Sequence, residues 1–189
     1  MRELSLHVLD IVQNSLSANA SLVIINVLES TGANLLQIEI SDNGKGLTET
    51  QLKQVLDPFF TTRTTRKVGL GLSMFQAAAN RCGGDFRIES EPDKGTSVIA
   101  SFKYDDIDRP PLGNMANTII SLVVCHPEAD FSYRHRVNSK NMVFDTREIK
   151  KYLSVSDLTL PNVISELNNR LIGDFLDLYQ SDDNNMNLN

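Results

Sequence analysis

The sequence predicts an α+β domain, and its hydrophobic patterning carries that expectation. Residues 3–18 place Leu4, Val8, Ile11, Val12 and Leu16 at the spacing of one helical face. Two apolar, β-branched runs around a turn-rich segment follow, which is the pattern of a hairpin. The same order, a helical repeat and then a hairpin, recurs over residues 69–104.

Taken in order, the first helix leaves through Ala18-Asn19-Ala20, because Asn tolerates the left-handed backbone that closes many helices. On that helix Glu3, His7, Asp10 and Asn14 form a second stripe at helical intervals. Strands are expected over Leu22–Leu28 and Leu35–Ile40, joined through Glu29–Asn34, and Asp42-Asn43-Gly44-Lys45-Gly46 ends the second one sharply. A short helix over Glu49–Leu56 stops before Pro58, and Thr61–Lys67 is a polar loop with no apolar period. Gly69–Cys82 reads as a helix closed by Gly83-Gly84. Phe86–Ser90 and Thr96–Tyr104 flank the turn Pro92–Gly95.

The texture changes at Asp108-Arg109-Pro110-Pro111. Ala116–Cys125 is apolar enough for a helix or a buried strand. Phe131–Arg136 and Met142–Asp145 form a short hairpin, and residues 161–179 a second amphipathic helix with Val163, Ile164, Leu167, Leu171, Phe175 and Leu178 on one side. Within the hairpin, Arg134, His135 and Arg136 are either an anion or partner contact or a solvated strand face. The Asn- and Asp-rich tail from Ser181 to Asn189 is expected to be disordered. The expected organisation is therefore a first domain over 1–104, an extension over 105–180 and a tail over 181–189.

Composition narrows the function classes. A net charge of −6 over 189 residues leaves no basic excess to neutralise phosphates, so no nucleic-acid partner is expected. Cys82 and Cys125 form no CxxC pair, which argues against a disulfide framework or a thiolate zinc site. No apolar run reaches the roughly 18–20 residues that span a bilayer. Glu3, His7 and Asp10 interrupt the stretch where a signal peptide needs apolar residues. A cytoplasmic protein without membrane insertion is expected.

Chemistry concentrates in a few segments. Asp10 and Asn14 lie four apart and share a helical face, where a carboxylate and an amide oxygen could hold a water and an oxygen-loving cation such as Mg2+. A plain surface stripe is the alternative. Asp42, followed by Gly44 and Gly46, sets an acceptor at a strand end beside backbone that a flat ligand can approach; a simple tight turn is the other reading. Gly69-Leu70-Gly71-Leu72-Ser73 opens a helix whose free N–H groups favour phosphate, with Arg63, Arg66 and Lys67 just upstream. Neither GxGxxG nor GxxxxGK[ST] occurs. Lys94-Gly95-Thr96 adds a turn with backbone amides and a hydroxyl.

In this order, Asn14, Asp42-x-Gly44-x-Gly46, Pro58-Phe59-Phe60-Thr61-Thr62-Arg63, Gly69-Leu70-Gly71-Leu72 and Gly95-Thr96 resemble the GHKL superfamily of ATPases and kinases, above all the ATP-binding domain of sensor histidine kinases. The resemblance spans residues 1–104. It implies a two-layer α/β sandwich with helices on one side of a mixed, mostly antiparallel sheet. It further implies that Asn14 holds Mg2+, that Asp42 accepts from the adenine amino group, and that Gly44 and Gly46 admit the base. Thr96 would reach the adenine through a water. Phe60, Thr61, Thr62, Arg63 and Lys67 would belong to a lid over the phosphates, anchored by Gly69, Leu70, Gly71 and Leu72. In hydrolytic members a glutamate four residues before the asparagine polarises water. Asp10 stands there, shorter by one methylene, and is the candidate catalytic residue.

As a whole the chain is similar to small stand-alone bacterial proteins of the histidine-kinase-like ATPase type. It opens at the Asn14 helix with no phosphoacceptor helix pair, and His7, on the nucleotide helix itself, is expected to be a core or surface histidine. The resemblance therefore implies ATP and ADP as ligands and a separate protein as partner. That partner is either phosphorylated or engaged through an ATP-dependent switch.

Overall fold

The computed structural model describes residues 3–55, 70–154 and 157–180. Its elements are α1 (Leu4–Ser17), β1 (Leu22–Ser30), β2 (Leu35–Asp42), α2 (Glu49–Gln54), α3 (Leu70–Arg81), β3 (Phe86–Glu91), β4 (Gly95–Lys103), α4 (Met115–Cys125), β5 (Asp130–Val137), β6 (Lys140–Asp145), α5 (Thr146–Leu153) and α6 (Pro161–Tyr179). The six strands form one sheet in the order β3-β4-β2-β1-β5-β6. The β1/β5 pair is parallel and the other four neighbouring pairs are antiparallel, so the sheet is mixed and mostly antiparallel, as expected.

Strict alternation sets the faces. On β1, Val23, Ile25 and Val27 turn into the core, as do Leu36, Ile38 and Ile40 on β2. α1 buries Leu4, Val8, Ile11 and Val12, and α3 buries Phe75, Ala78 and Ala79. Asn19 closes α1 in the left-handed region at φ 60°. Phe75 sits between Phe86, edge-on at 6.1 Å, and Phe102 at 5.8 Å, which fixes α3 on the β3/β4 hairpin.

Residues 105–180 share this framework. β5 and β6 lengthen the sheet beyond β1, and one apolar cluster runs from α1 and α3 through α4 to α6. The connecting segment also supplies a cap. Glu3 offers α1 no side-chain cap, and instead the Leu4 and Ser5 N–H groups donate to the carbonyls of Pro111 and Leu112 at 2.9 and 2.8 Å. The expected boundary after residue 104 falls where the chain leaves β4 and crosses to this cap.

The open alternative for 116–125 resolves as helix. Asn114 caps it through the Asn117 N–H, and Met115, Ile119, Leu122 and Val123 recur on one buried face. α5 was not expected. It is eight residues long and buries only Thr146 and Ile149, too short a span for its apolar positions to repeat over successive turns. The expected disordered tail and the Thr61–Lys67 loop lie outside the described residues. Among the described residues no helix is long and apolar enough to cross a membrane.

Candidate nucleotide site

The site assembles where α1, the β2 exit, the β3/β4 turn and the start of α3 meet. Its best-defined group is the Asp42 carboxylate. Ser15 Oγ donates to Asp42 Oδ2 at 2.6 Å, and the Gly44 N–H donates to Oδ1 at 2.8 Å. Each oxygen is thereby oriented by one donor, and an ionised carboxylate keeps further lone pairs for a ligand.

The loop after Asp42 is held to its surroundings by backbone. Asn43 Oδ1 accepts from the Ser21 and Leu22 N–H groups at 2.9 Å each. The Lys45 N–H donates to Ala18 O at 2.9 Å, and the Asp93 N–H to Lys45 O at 2.8 Å. The glycines are required by these approaches. A Cβ at Gly44 would fall 2.8 Å from Ala18 O, and one at Gly46, which has φ +62°, would fall 1.9 Å from Glu91 O. Gly95 presses its backbone on Asp42 in the same way. A Cβ there would lie 1.8 Å from Asp42 O.

Thr96 lies one step beyond the Ser41/Ser97 ladder pair, which sets it beside Asp42. Its hydroxyl hydrogen-bonds with Ser90 Oγ at 2.9 Å; Ser90 in turn accepts from the Leu47 N–H and donates to Gly95 O, both at 2.9 Å. Ser90 thus ties the loop carrying Gly44 and Gly46 to the turn carrying Thr96.

On the other side, α1 packs on α3, and two of the pairs bear on the site. His7 stacks on Phe75 at 5.1 Å, and Gly71 lies against Asp10, whose Oδ2 would be 1.6 Å from an added Cβ. His7 is buried, and desolvation, followed by nearby positive charge including Arg81, pushes its imidazole down to about 4. It is a core histidine, neutral at pH 7. Asp10 and Asn14 are half-buried on the same helix. Leu72 packs on the core cluster, and Leu70 begins α3. Phe60, Thr61, Thr62, Arg63, Lys67 and Gly69 lie outside the described residues.

Ser15, Asn43 and Ser90 were not singled out from sequence. Ser15 had a readable signal: it continues the buried face of Leu4, Val8 and Ile11 yet is polar, and it is 4% exposed. Ser90 had none, because a serine in a strand is ordinary.

Residues 2–106 match the family described as histidine kinase-, DNA gyrase B-, and HSP90-like ATPase. The sensor histidine kinase ZraS of Klebsiella oxytoca is 34% identical over 73 residues, 39% of this chain and 16% of that kinase. Sporulation kinase C of Bacillus subtilis (strain 168) is 28% identical over 99 residues, 51% of this chain and 23% of that protein. The chain thus matches less than a quarter of the length of either kinase. Among solved structures, the ADP complex of the Aquifex aeolicus MutL ATPase domain superposes with TM-score 0.51 at 13% identity, covering 82% of this chain and 70% of that one. The N-terminal domain of a DNA repair protein superposes with TM-score 0.56 at 19% identity, covering 76% and 52%. These two likenesses concern the fold. The chain belongs to the histidine kinase-, DNA gyrase B-, and HSP90-like ATPase family, and its first 106 residues carry an ATP-binding domain homologous to that of sensor histidine kinases.

Proposed function

We propose that this chain binds Mg-ATP between Asp42 and the start of α3 and passes the γ-phosphoryl group to a side chain of a separate protein. The observation that carries the reading is the Asp42 carboxylate, pinned by Ser15 and the Gly44 N–H with acceptor capacity to spare. That geometry suits the exocyclic amine of adenine, and Thr96 stands beside it. The adenine end then leaves the phosphates toward the first turn of α3, and a helix N-terminus favours anions.

The donor set fits a magnesium ion that arrives with the nucleotide. Among the described residues no cluster of three or more His, Cys, Asp or Glu side chains is placed to hold a metal ion, so these residues build no all-protein cage. It offers hard oxygens on α1, the Asn14 amide first, as an ion shared with phosphates requires. When bound, the ion neutralises phosphate charge. In the transfer, the bond from the γ-phosphorus to the bridging oxygen breaks and a bond to the acceptor nitrogen or oxygen forms. ADP keeps the electron pair, and the acceptor's proton passes to solvent.

Asp10 favours a second reading. Its carboxylate is packed against Gly71 at the mouth of α3, one helical turn from Asn14. Water in place of the protein nucleophile would make the chain a slow ATPase that switches a partner's binding.

Incubation with γ-labelled ATP and Mg2+, alone and with cell extract, separates the two: label on a protein supports transfer, and free phosphate alone supports hydrolysis. For the pocket, Mg-ADP should raise the Tm of the wild type and raise that of Asp42→Ala far less, with Ser15→Ala in between. Equal shifts in all three would remove Asp42 from the adenine site.

A further inference from the structure

The face of the sheet opposite Tyr133 and His135 presents an arginine pair that the nucleotide site does not use. On β5, Phe131, Tyr133 and His135 point into the core while Arg134 and Arg136 are exposed on the other side. Strand register extends each arginine into a row across the sheet. One row runs Asn141, Arg136, Leu28, Gln37, and the next Val143, Arg134, Asn26, Glu39. The side chains border a shallow depression of about 290 Å3.

Its chemistry is cationic and amide-rich on a chain whose net charge is −6. Among the described residues neither arginine forms an ion pair or a side-chain hydrogen bond. The carboxylate in these rows, Glu39, is engaged by Asn26 Nδ2 at 3.1 Å. Val143 is 52% exposed, so the rim also leaves apolar surface in water.

Two guanidinium groups on alternate residues of one strand stand about 7 Å apart along it, the repeat of alternate side chains in any extended chain. We propose that this face docks an extended acidic segment of a partner protein. Carboxylates at alternate positions pair with Arg134 and Arg136, and Asn26, Gln37 and Asn141 serve the peptide's backbone groups. Arginine suits this role because its planar fork takes a carboxylate through two parallel bonds. Nucleic acid is a poorer match, since its affinity rests on many neutralised phosphates and this face offers two cations.

The test uses the full chain without nucleotide and reads fluorescence anisotropy of labelled peptides. A short peptide of alternating Glu and Ser should bind, and the Lys/Ser counterpart should bind at least about ten-fold more weakly. R134E/R136E should lose at least about ten-fold in affinity, and the neutral R134A/R136A a smaller part of it, with unchanged circular dichroism. R87E, the same charge reversal on β3 at the far edge of the sheet, should leave binding intact. Absence of binding by the wild type, equal binding by R134E/R136E, or tighter binding of a single-stranded oligonucleotide than of the Glu/Ser peptide would each overturn the proposal.

Discussion

Gly71 and Asp10 occupy each other's space: a methyl group on the Gly71 α-carbon would fall 1.6 Å from Asp10 Oδ2. Both ends of the contact lie on α-helices, α3 and α1, so Asp10 is held at the first turn of α3, the end to which the proposed reading assigns the phosphates. The clash is with the far end of a rotatable side chain, and Gly71→Ala is therefore expected to turn Asp10 aside rather than unfold the protein. Alanine at a helical site otherwise gains about 0.5–1 kcal/mol over glycine. The expected outcome is little change in Tm for Gly71→Ala in the wild type, but a rise of a few degrees in an Asp10→Ala background. A double-mutant cycle by thermal denaturation measures this coupling. Any ATP turnover should fall at least about ten-fold in Gly71→Ala and in Asp10→Asn, with Mg-ADP affinity nearly retained. Additive Tm effects would show that the two residues do not share the space.

The His7–Phe75 stack makes a second, pH-dependent prediction. His7 titrates near 4 in the folded chain against an ordinary 6.5, with burial the leading cause. Between those values the unfolded chain binds a proton that the folded chain refuses, so stability falls as pH falls. The slope approaches about 1.4 kcal/mol per pH unit, which amounts to about 2 kcal/mol by pH 5. His7→Phe keeps a ring on Phe75 and removes the proton. Its Tm should match the wild type at pH 7 within a few degrees and exceed it at pH 5 by about 3–8 °C. A difference that does not grow on acidification would mean that His7 is protonated in the fold without penalty.

These pairings show which parts of the molecule were legible in the sequence. α1, the two N-terminal strands and α6 could be read because one face of each is apolar at the period of its backbone. The Asp42, Gly44 and Gly46 cluster could be read because glycine is needed where backbones approach to within van der Waals contact. Long-range pairing left no such mark. Nothing local to β5 states that it runs parallel to β1, with Leu22 opposite Asp130 and Glu29 opposite Val137. α5 is likewise too short to repeat its period, although Asp145 followed by Glu148 is an N-terminal capping signal. His135 shows the limit most clearly. Between two arginines it reads as part of a polar strand face, yet strand alternation turns it alone into the core, where it is 1% exposed.

There His135 joins a buried chain of hydrogen bonds that fastens α6 to the sheet. Tyr133 OH and His135 Nδ1 are 2.8 Å apart, and His135 Nε2 and Glu29 Oε1 2.8 Å. Tyr179, near the end of α6, donates to the same Glu29 oxygen. Lys140 Nζ binds the Asp177 and Gln180 carbonyls at that helix end, at 3.3 and 2.7 Å. Burial alone pushes the Glu29 carboxyl up, but the bonds from His135 and Tyr179, with the charges of His135 and Arg109, outweigh it and hold it below its ordinary 4.5. A carboxylate depressed in this way stabilises the fold above the ordinary value and loses that contribution as pH falls through its folded value. Glu29→Gln should therefore cost about 2–3 kcal/mol at pH 7, since two hydrogen bonds to a charged oxygen become bonds to a neutral one. The gap to the wild type should narrow below about pH 4.5, a lower window than the one His7 governs. Tyr179→Phe should cost about 1–2 kcal/mol and raise amide exchange in the last turns of α6 while leaving α1 protected. Uniform exchange across both helices would mean that α6 opens only with the whole fold, and that Tyr179 does not latch it.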